Sequence, residues 1–207
     1  FVIILSTYLL LWPVPIDPVS WEAPKDQGFV GDFEQNTRLE AIEIIALSDT
    51  HGPEGLALKG SEIYAATREG WIVRYNEGTG EQIKWVNTEG SPLGLVFDKE
   101  NNLLIADAYK GLLKVTPSGE LSVLTRTVNG TDIDYADDLD ITADGKIYFS
   151  DASTKFGAHM GGTYAASLLD TMEHGGHGRL LVYDPIDEST KILMDGLNFA
   201  NDIDTDA

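Results

Sequence analysis

Four positions in this chain hold a recurring place in one repeated phrase, and three of them carry oxygen. The third residue of a short opening turn is Glu54 in GPEGLAL, Leu93 in SPLGLVF, Asp137 in YADDLDI and Asn201 in FANDID. Two carboxylates and an amide, if the fold brings them together, form a hard-oxygen donor set. Such a set suits Ca²⁺, which takes about 6–8 oxygen ligands. Zinc is a poorer match, because no His or Cys occupies the slot. The competing reading is turn chemistry, since Asp and Asn stabilise strand entries through their own side chains. Three oxygens in one repeated slot favour the cation. Asp138 and Asp202, one residue further on, are either outer acceptors or more turn chemistry.

The elements that must position these residues are strands. Residues 135–151, YADDLDITADGKIYFSD, read as a polar turn, an alternating strand, an Asp-Gly turn and a second strand, the pattern of an antiparallel hairpin. The layout returns at 52–70 and 91–111, and begins again at 198–207. Equivalent slots are separated by 39, 44 and 64 residues, and the last interval contains an extra stretch of 21, residues 157–177. Outer hairpins are legible as GWIVRYN with EQIKWVN, GLLKVTP with ELSVLTR, and GRLLVYDP with TKILMDG. A period near 40 with four strands per unit predicts an all-β propeller. A β-sandwich would not return the same turn at an even spacing. In a propeller the innermost strand of each blade lines the central channel, so Glu54, Asp137 and Asn201 should converge from separate blades.

Composition sets the outer limits. The chain has 207 residues, 21 of them glycine, and its 14 basic against 34 acidic residues give a net charge of −20. That balance argues against a nucleic-acid partner, which needs a basic footprint. Absence of cysteine excludes thiol chemistry, Cys-ligated zinc and disulfides. Residues 1–16 contain no charge, but the apolar run before Pro13 is only 12 residues; a spanning helix needs about 20. The segment is expected to be part of a membrane anchor. The tail of a signal peptide and a buried N-terminal segment are the alternatives. No small-residue cleavage site follows, which favours the anchor. Trp12 and Trp21 suit a lipid interface. Residues 17–41, rich in Pro and acidic residues, read as a linker, and 42–207 as the propeller part. The chain begins without Met and stops just after a repeat has begun, so it is expected to be a piece of a longer protein.

Other residues invite weaker readings. His159, His174 and His177 belong to the Gly-rich inserted stretch, expected to be a mobile loop over the channel mouth rather than a catalytic lid. Tyr164, Leu168, Leu169 and Met172 fall at partly helical spacing there, suggesting a short amphipathic helix that caps a pocket or packs on the propeller. His51 suits a surface or turn role, and Lys110 and Lys155 solvated or ion-paired ones. Ser153 lacks a G-x-S-x-G context, which speaks against a serine hydrolase. Asn129-Gly130-Thr131 matches a glycosylation sequon.

The phrases IADAYKGLLKVTPSG, DITADGKIYFSDASTKF, HGRLLVYDP and LNFAND resemble the strictosidine synthase-like proteins, within the wider gluconolactonase and paraoxonase set of propellers. The resemblance runs from about Gly52 to the C-terminus. It implies a six-bladed ring, of which this chain covers about three and a half blades, with one Ca²⁺ in the channel. Glu54 stands in the family's G-P-E element and Asn201 in its F-x-N element. Asp137 takes the place of the Asn in V-N-D-L. Leu93 falls where the lactonases carry a proposed histidine base, and leucine cannot take a proton. The late-blade glutamate of plant strictosidine synthase lies beyond this chain. The resemblance implies a calcium-dependent hydrolase of small-molecule esters or lactones. It would be anchored to a membrane by its N-terminal segment, with the propeller on the extracytoplasmic side. The alternatives are a non-enzymatic binding propeller with a structural calcium and, less favoured, an amine–aldehyde condensing lyase.

Overall fold

Each alternating run of the sequence forms one strand of an antiparallel sheet in the computed structural model, which describes residues 1–205; Asp206 and Ala207, in the beginning of the fourth repeat, lie outside the described residues. The chain opens with helix α1 (Val2–Leu11), none of whose residues is buried. Among the described residues no helix is long and apolar enough to cross a membrane. A stretch without strands follows, and then three four-stranded blades.

Blade 1 contains β1 (Leu56–Lys59), β2 (Glu62–Ala66), β3 (Trp71–Asn76) and β4 (Gln82–Asn87). Blade 2 contains β5 (Pro92–Phe97), β6 (Leu103–Asp107), β7 (Gly111–Val115) and β8 (Leu121–Thr125). A two-stranded ribbon, β9 (Thr127–Val128) with β10 (Thr131–Asp132), leads to blade 3. That blade contains β11 (Ala136–Ile141), β12 (Ile147–Asp151), β13 (Gly178–Asp184) and β14 (Ser189–Leu197), with helix α2 (Thr163–Glu173) inserted between β12 and β13. Within each blade the strands pair in chain order, as expected of a propeller, and every outer hairpin named above is present.

Sheets buried on both faces read as continuous apolar runs, and β6 is buried along its whole length. Tyr64 and Ile72 of blade 1 pack with Ile105 and Leu113 of blade 2. Leu104 and Leu112 of blade 2 pack with Phe149 and Leu181 of blade 3. The core is thus a series of layers between blades. The innermost strand β5 neighbours β1 on one side and β11 on the other.

Two glycines permit that approach. A Cβ on Gly55 would sit 1.8 Å from the Leu93 carbonyl oxygen, and one on Gly94 would sit 2.6 Å from Asp138 Oδ1. Both follow a repeated slot directly. Beyond blade 3, the segment 201–205 lies along β11. The N–H groups of Ile203 and Thr205 donate to the carboxylates of Asp138 and Asp140 at 3.0 and 2.9 Å.

Candidate functional site

The ladders of β5 and β11 are interrupted at the slot. Register shifts between Pro92 and Leu95 in β5 and between Ala136 and Leu139 in β11. Leu93 and Asp137 therefore sit in bulges, which re-aim a side chain away from regular pairing. In blade 1 the Glu54 N–H donates to the Ala66 carbonyl at 3.3 Å, while Ala66 N–H donates to Gly55 at 3.0 Å. Asn201 is held by its own carbonyl, which accepts a hydrogen bond from Ser150 Oγ at 3.1 Å. The outcome is a shared cavity of about 470 Å³ lined by Glu54, Leu93, Asp137 and Asn201 together. Tyr135 and Phe199, edge to face at 5.2 Å, form part of its wall.

The electrostatics of this cavity are unusual. Asp137 is 3% exposed. Burial first, then the charges of Glu54, Asp138 and Asp202, push its carboxyl up to about 8, and among the described residues no hydrogen-bond donor offsets them. Glu54 stands more open, yet partial desolvation and the charges of Asp202 and Asp138 also raise it. Burial, followed by the charges of Asp137 and Glu54, raises the Tyr135 phenol; its hydroxyl donates to the Thr163 carbonyl at 3.1 Å. A buried carboxylate facing other carboxylates without a donor is costly unless a proton or a cation joins it. Among the described residues no three His, Asp or Glu side chains group to hold a metal. A cation here would draw on Glu54 and Asp137 with the Asn201 amide, and that oxygen set fits Ca²⁺.

Asp138 has a different task. It is half-buried, its N–H donates to Ser150 Oγ at 3.0 Å, and its Oδ2 accepts from Ile203. It ties β11 to the segment beside it. Asp202 contributes its charge to Glu54 and Asp137.

The inserted stretch is a structured roof rather than an open loop. Thr163, Tyr164 and Ser167 of α2 line the cavity mouth. Of the four apolar residues expected on its packed face only Leu169 packs inward, beside Ala166; Asp170 and Glu173 are buried with Ala166, while Tyr164, Leu168 and Met172 are 73%, 45% and 63% exposed. Polar bonds explain the difference. Ser153 Oγ donates to Asp170 Oδ2 at 2.5 Å. Glu173 accepts from Lys155 at 2.7 Å and from the Asp17 N–H at 2.8 Å, and its Oε1 lies 2.6 Å from His177 Nε2. Burial alone would raise Glu173, but these bonds hold its carboxyl down at about 2.

The Val19 N–H bonds the Glu173 carbonyl at 2.8 Å, and Trp21, expected at a lipid interface, stacks on His174 at 5.0 Å. Residues 17–21 of the linker are therefore a strap on the end of α2. None of the four histidines lines the cavity; His51 pairs with Glu69 at 2.8 Å on the surface. Sequence reading missed Tyr135, Phe199 and Arg68 as cavity residues, and Asp170 and Glu173 as the polar seats of α2. A blade-by-blade comparison signals Arg68, since the equivalent positions of the other two blades are alanine.

Known proteins bear on this geometry. The family model "Strictosidine synthase-like, N-terminal" matches residues 31–75, and "Strictosidine synthase" matches residues 137–206. The adipocyte plasma membrane-associated protein of Rattus norvegicus is 32% identical over 211 residues, covering 94% of this chain and 54% of that protein. The strictosidine synthase-like 4 protein of Arabidopsis thaliana is 33% identical over 172 residues, covering 80% and 45%. The chain thus spans about half the length of the curated relatives it matches. Among solved structures, a gluconolactonase from Xanthomonas campestris superposes with a TM-score of 0.55 at 14% identity, over 69% of this chain and 47% of that one. A streptogramin B lyase gives a TM-score of 0.51 at 13% identity, over 72% and 43%. At those identities the likeness concerns the fold. The bulged inner strands, the blade order and the matched segments agree: the chain belongs to the strictosidine synthase-like family of β-propeller proteins.

Proposed function

We propose that the protein is a membrane-held, calcium-dependent hydrolase of esters or lactones. The observation that carries this reading is the Asp137 carboxylate, 3% exposed and sharing one cavity with Glu54 and Asn201. Glu54, Asp137 and Asn201 would hold the ion. The chemistry available from a bound cation is Lewis-acid polarisation of an ester or lactone carbonyl. The chain's own residues supply the rest of the site. Tyr135 and Phe199 offer an aromatic wall for the acyl or aryl part of a substrate, and Thr163, Tyr164 and Ser167 cover the mouth against water. Similarity in fold to a gluconolactonase supports the lactone reading.

Membrane attachment is supported by the uncharged stretch 1–16 and the full exposure of α1. The name of the rat relative, plasma membrane-associated, agrees with it. On this reading the propeller lies on the extracytoplasmic side.

A second reading, a binding propeller with a structural calcium and no turnover, is favoured by one observation. Leu93, 6% exposed, occupies the cavity wall where a base would serve.

Calorimetric titration of Ca²⁺ into the protein and into Glu54→Gln and Asp137→Ala, with turnover of a simple aryl ester and a lactone, tests both. The hydrolase reading expects calcium binding weakened in both variants and turnover lost in Asp137→Ala. Binding without turnover transfers the assignment to the second reading. Absence of calcium binding by the folded parent ends both.

A further inference from the structure

In each blade a residue just after the second strand donates its N–H to the carbonyl 17 positions earlier: Arg68 to His51 at 3.0 Å, Ala108 to Ser91 at 2.9 Å and Ala152 to Tyr135 at 2.8 Å. The three are structural equivalents. Ala108 and Ala152 are 1% and 0% exposed and pack beneath α2, so the blade geometry is satisfied by a methyl group. Blade 1 places an exposed arginine there, and that residue is part of the cavity lining. Packing therefore does not account for the guanidinium.

Among the described residues Arg68 makes no ion pair, although the chain carries 34 acidic residues. The carboxylate beside it in sequence, Glu69, is engaged by the His51 N–H and ring at 3.1 and 2.8 Å. Among the described residues that line the cavity, Arg68 is the one cation, the others being carboxylates, an amide, hydroxyls and apolar groups. Its backbone is fixed to the same corner as Glu54, through Ala66 and His51.

We propose that Arg68 anchors an anionic group of the ligand, so that the site selects carboxylate-bearing esters or lactones over neutral ones. The substrate part of this inference rests on the hydrolase reading; the anion anchor does not. A planar guanidinium matches a carboxylate through paired N–H donors. In a chain of net charge −20, an anion otherwise meets a repulsive field. A local cation at the cavity gives the ligand its foothold.

Benzoate and its neutral counterpart benzamide, titrated calorimetrically into the full chain with calcium present, read the anchor without turnover. The expected result is benzoate binding that falls at least about tenfold more than benzamide binding in Arg68→Gln, the scale of one charge-assisted hydrogen bond. Arg68→Lys should recover part of the loss. The exposed position makes Arg68→Gln a mild change, checked by an unchanged unfolding midpoint. Benzoate binding that is absent in the parent, or equal in parent and variant, overturns the anchor.

Hydrolysis of phenyl acetate and para-acetoxybenzoate forms the second arm. Benzoate binding through Arg68 with neither ester cleaved leaves the anchor standing and removes the hydrolase. Cleavage of both with the same preference in Arg68→Gln leaves the hydrolase and removes the anchor.

Discussion

A carboxyl group held near pH 8 by its surroundings makes stability depend on pH, and Asp137 is such a group. Its folded value lies above its ordinary 3.8, so its proton favours the folded state. In chelator-treated protein the contribution is complete below about pH 4 and is lost as pH rises through about 8. Each unit of the interval corresponds to about 1.4 kcal/mol, so the decline should be visible in urea midpoints between those limits. Asp137→Asn should flatten the curve relative to the parent. Added Ca²⁺ should restore stability at high pH, because the ion favours the ionised form. An unchanged slope in the variant would show that another group is responsible.

The same scale holds a second test in blade 3. The Arg179 guanidinium donates to Asp151 through Nε at 2.9 Å and also through Nη2, and both side chains are buried. Arg179→Ala should cost about 3–5 kcal/mol in chemical denaturation, by leaving a buried charge uncompensated. The repeated slot was legible in the sequence because four turns share one pattern. Arg68 was not, because an arginine near a Glu-Gly turn looks like surface until hydrogen bonds define its equivalents.

At the level of elements, α2 shows what periodicity counts and what it omits. Tyr164, Leu168 and Met172 lie four residues apart and suggest a buried face, yet they face outward. Apolar spacing does not register that Asp170 and Glu173 find hydrogen-bond partners in Ser153, Lys155 and the strap. Ser153→Ala would leave the 1%-exposed Asp170 carboxylate without that donor, and should cost about 1–3 kcal/mol in unfolding free energy. Glu173 behaves oppositely to Asp137 with pH. Its folded value is depressed to about 2 from an ordinary 4.5, so its contribution is present above about pH 4.5 and lost as pH falls through about 2. Hydrogen exchange at the Val19 amide should therefore accelerate on acidification beyond the intrinsic rate, and Glu173→Gln should remove that acceleration.

The β9–β10 ribbon adds a reporter of sidedness. Asn129 and Gly130 form its turn, both at positive φ, and Asn129 is exposed. In a eukaryotic secretory host, a glycosidase-sensitive mass shift absent from Asn129→Gln would place the propeller on the lumenal side. A parent without the shift would count against that placement.

For the whole molecule, the blade pattern could be read from the period of the sequence, because each unit repeats its turns. How closely the blades approach could not, because it depends on backbone from another unit. Gly55 is the clearest case, since a methyl carbon added there would lie 1.8 Å from the Leu93 carbonyl oxygen. Gly55→Ala should lower the melting temperature sharply or abolish folding, whereas Gly78→Ala, whose nearest neighbour would be 3.4 Å away, should be tolerated. Comparable melting temperatures would mean that the inner strands can part without penalty. The strap carries a consequence in time. Asp17 and Glu173, bonded to each other, are separated by 156 positions. At about 5–20 residues per second of synthesis, residue 17 exists for roughly 8–30 seconds before its partner does. The strap is thus made well before it can be placed. If residues 1–16 meet a membrane, they do so while the propeller they are to hold is still being written.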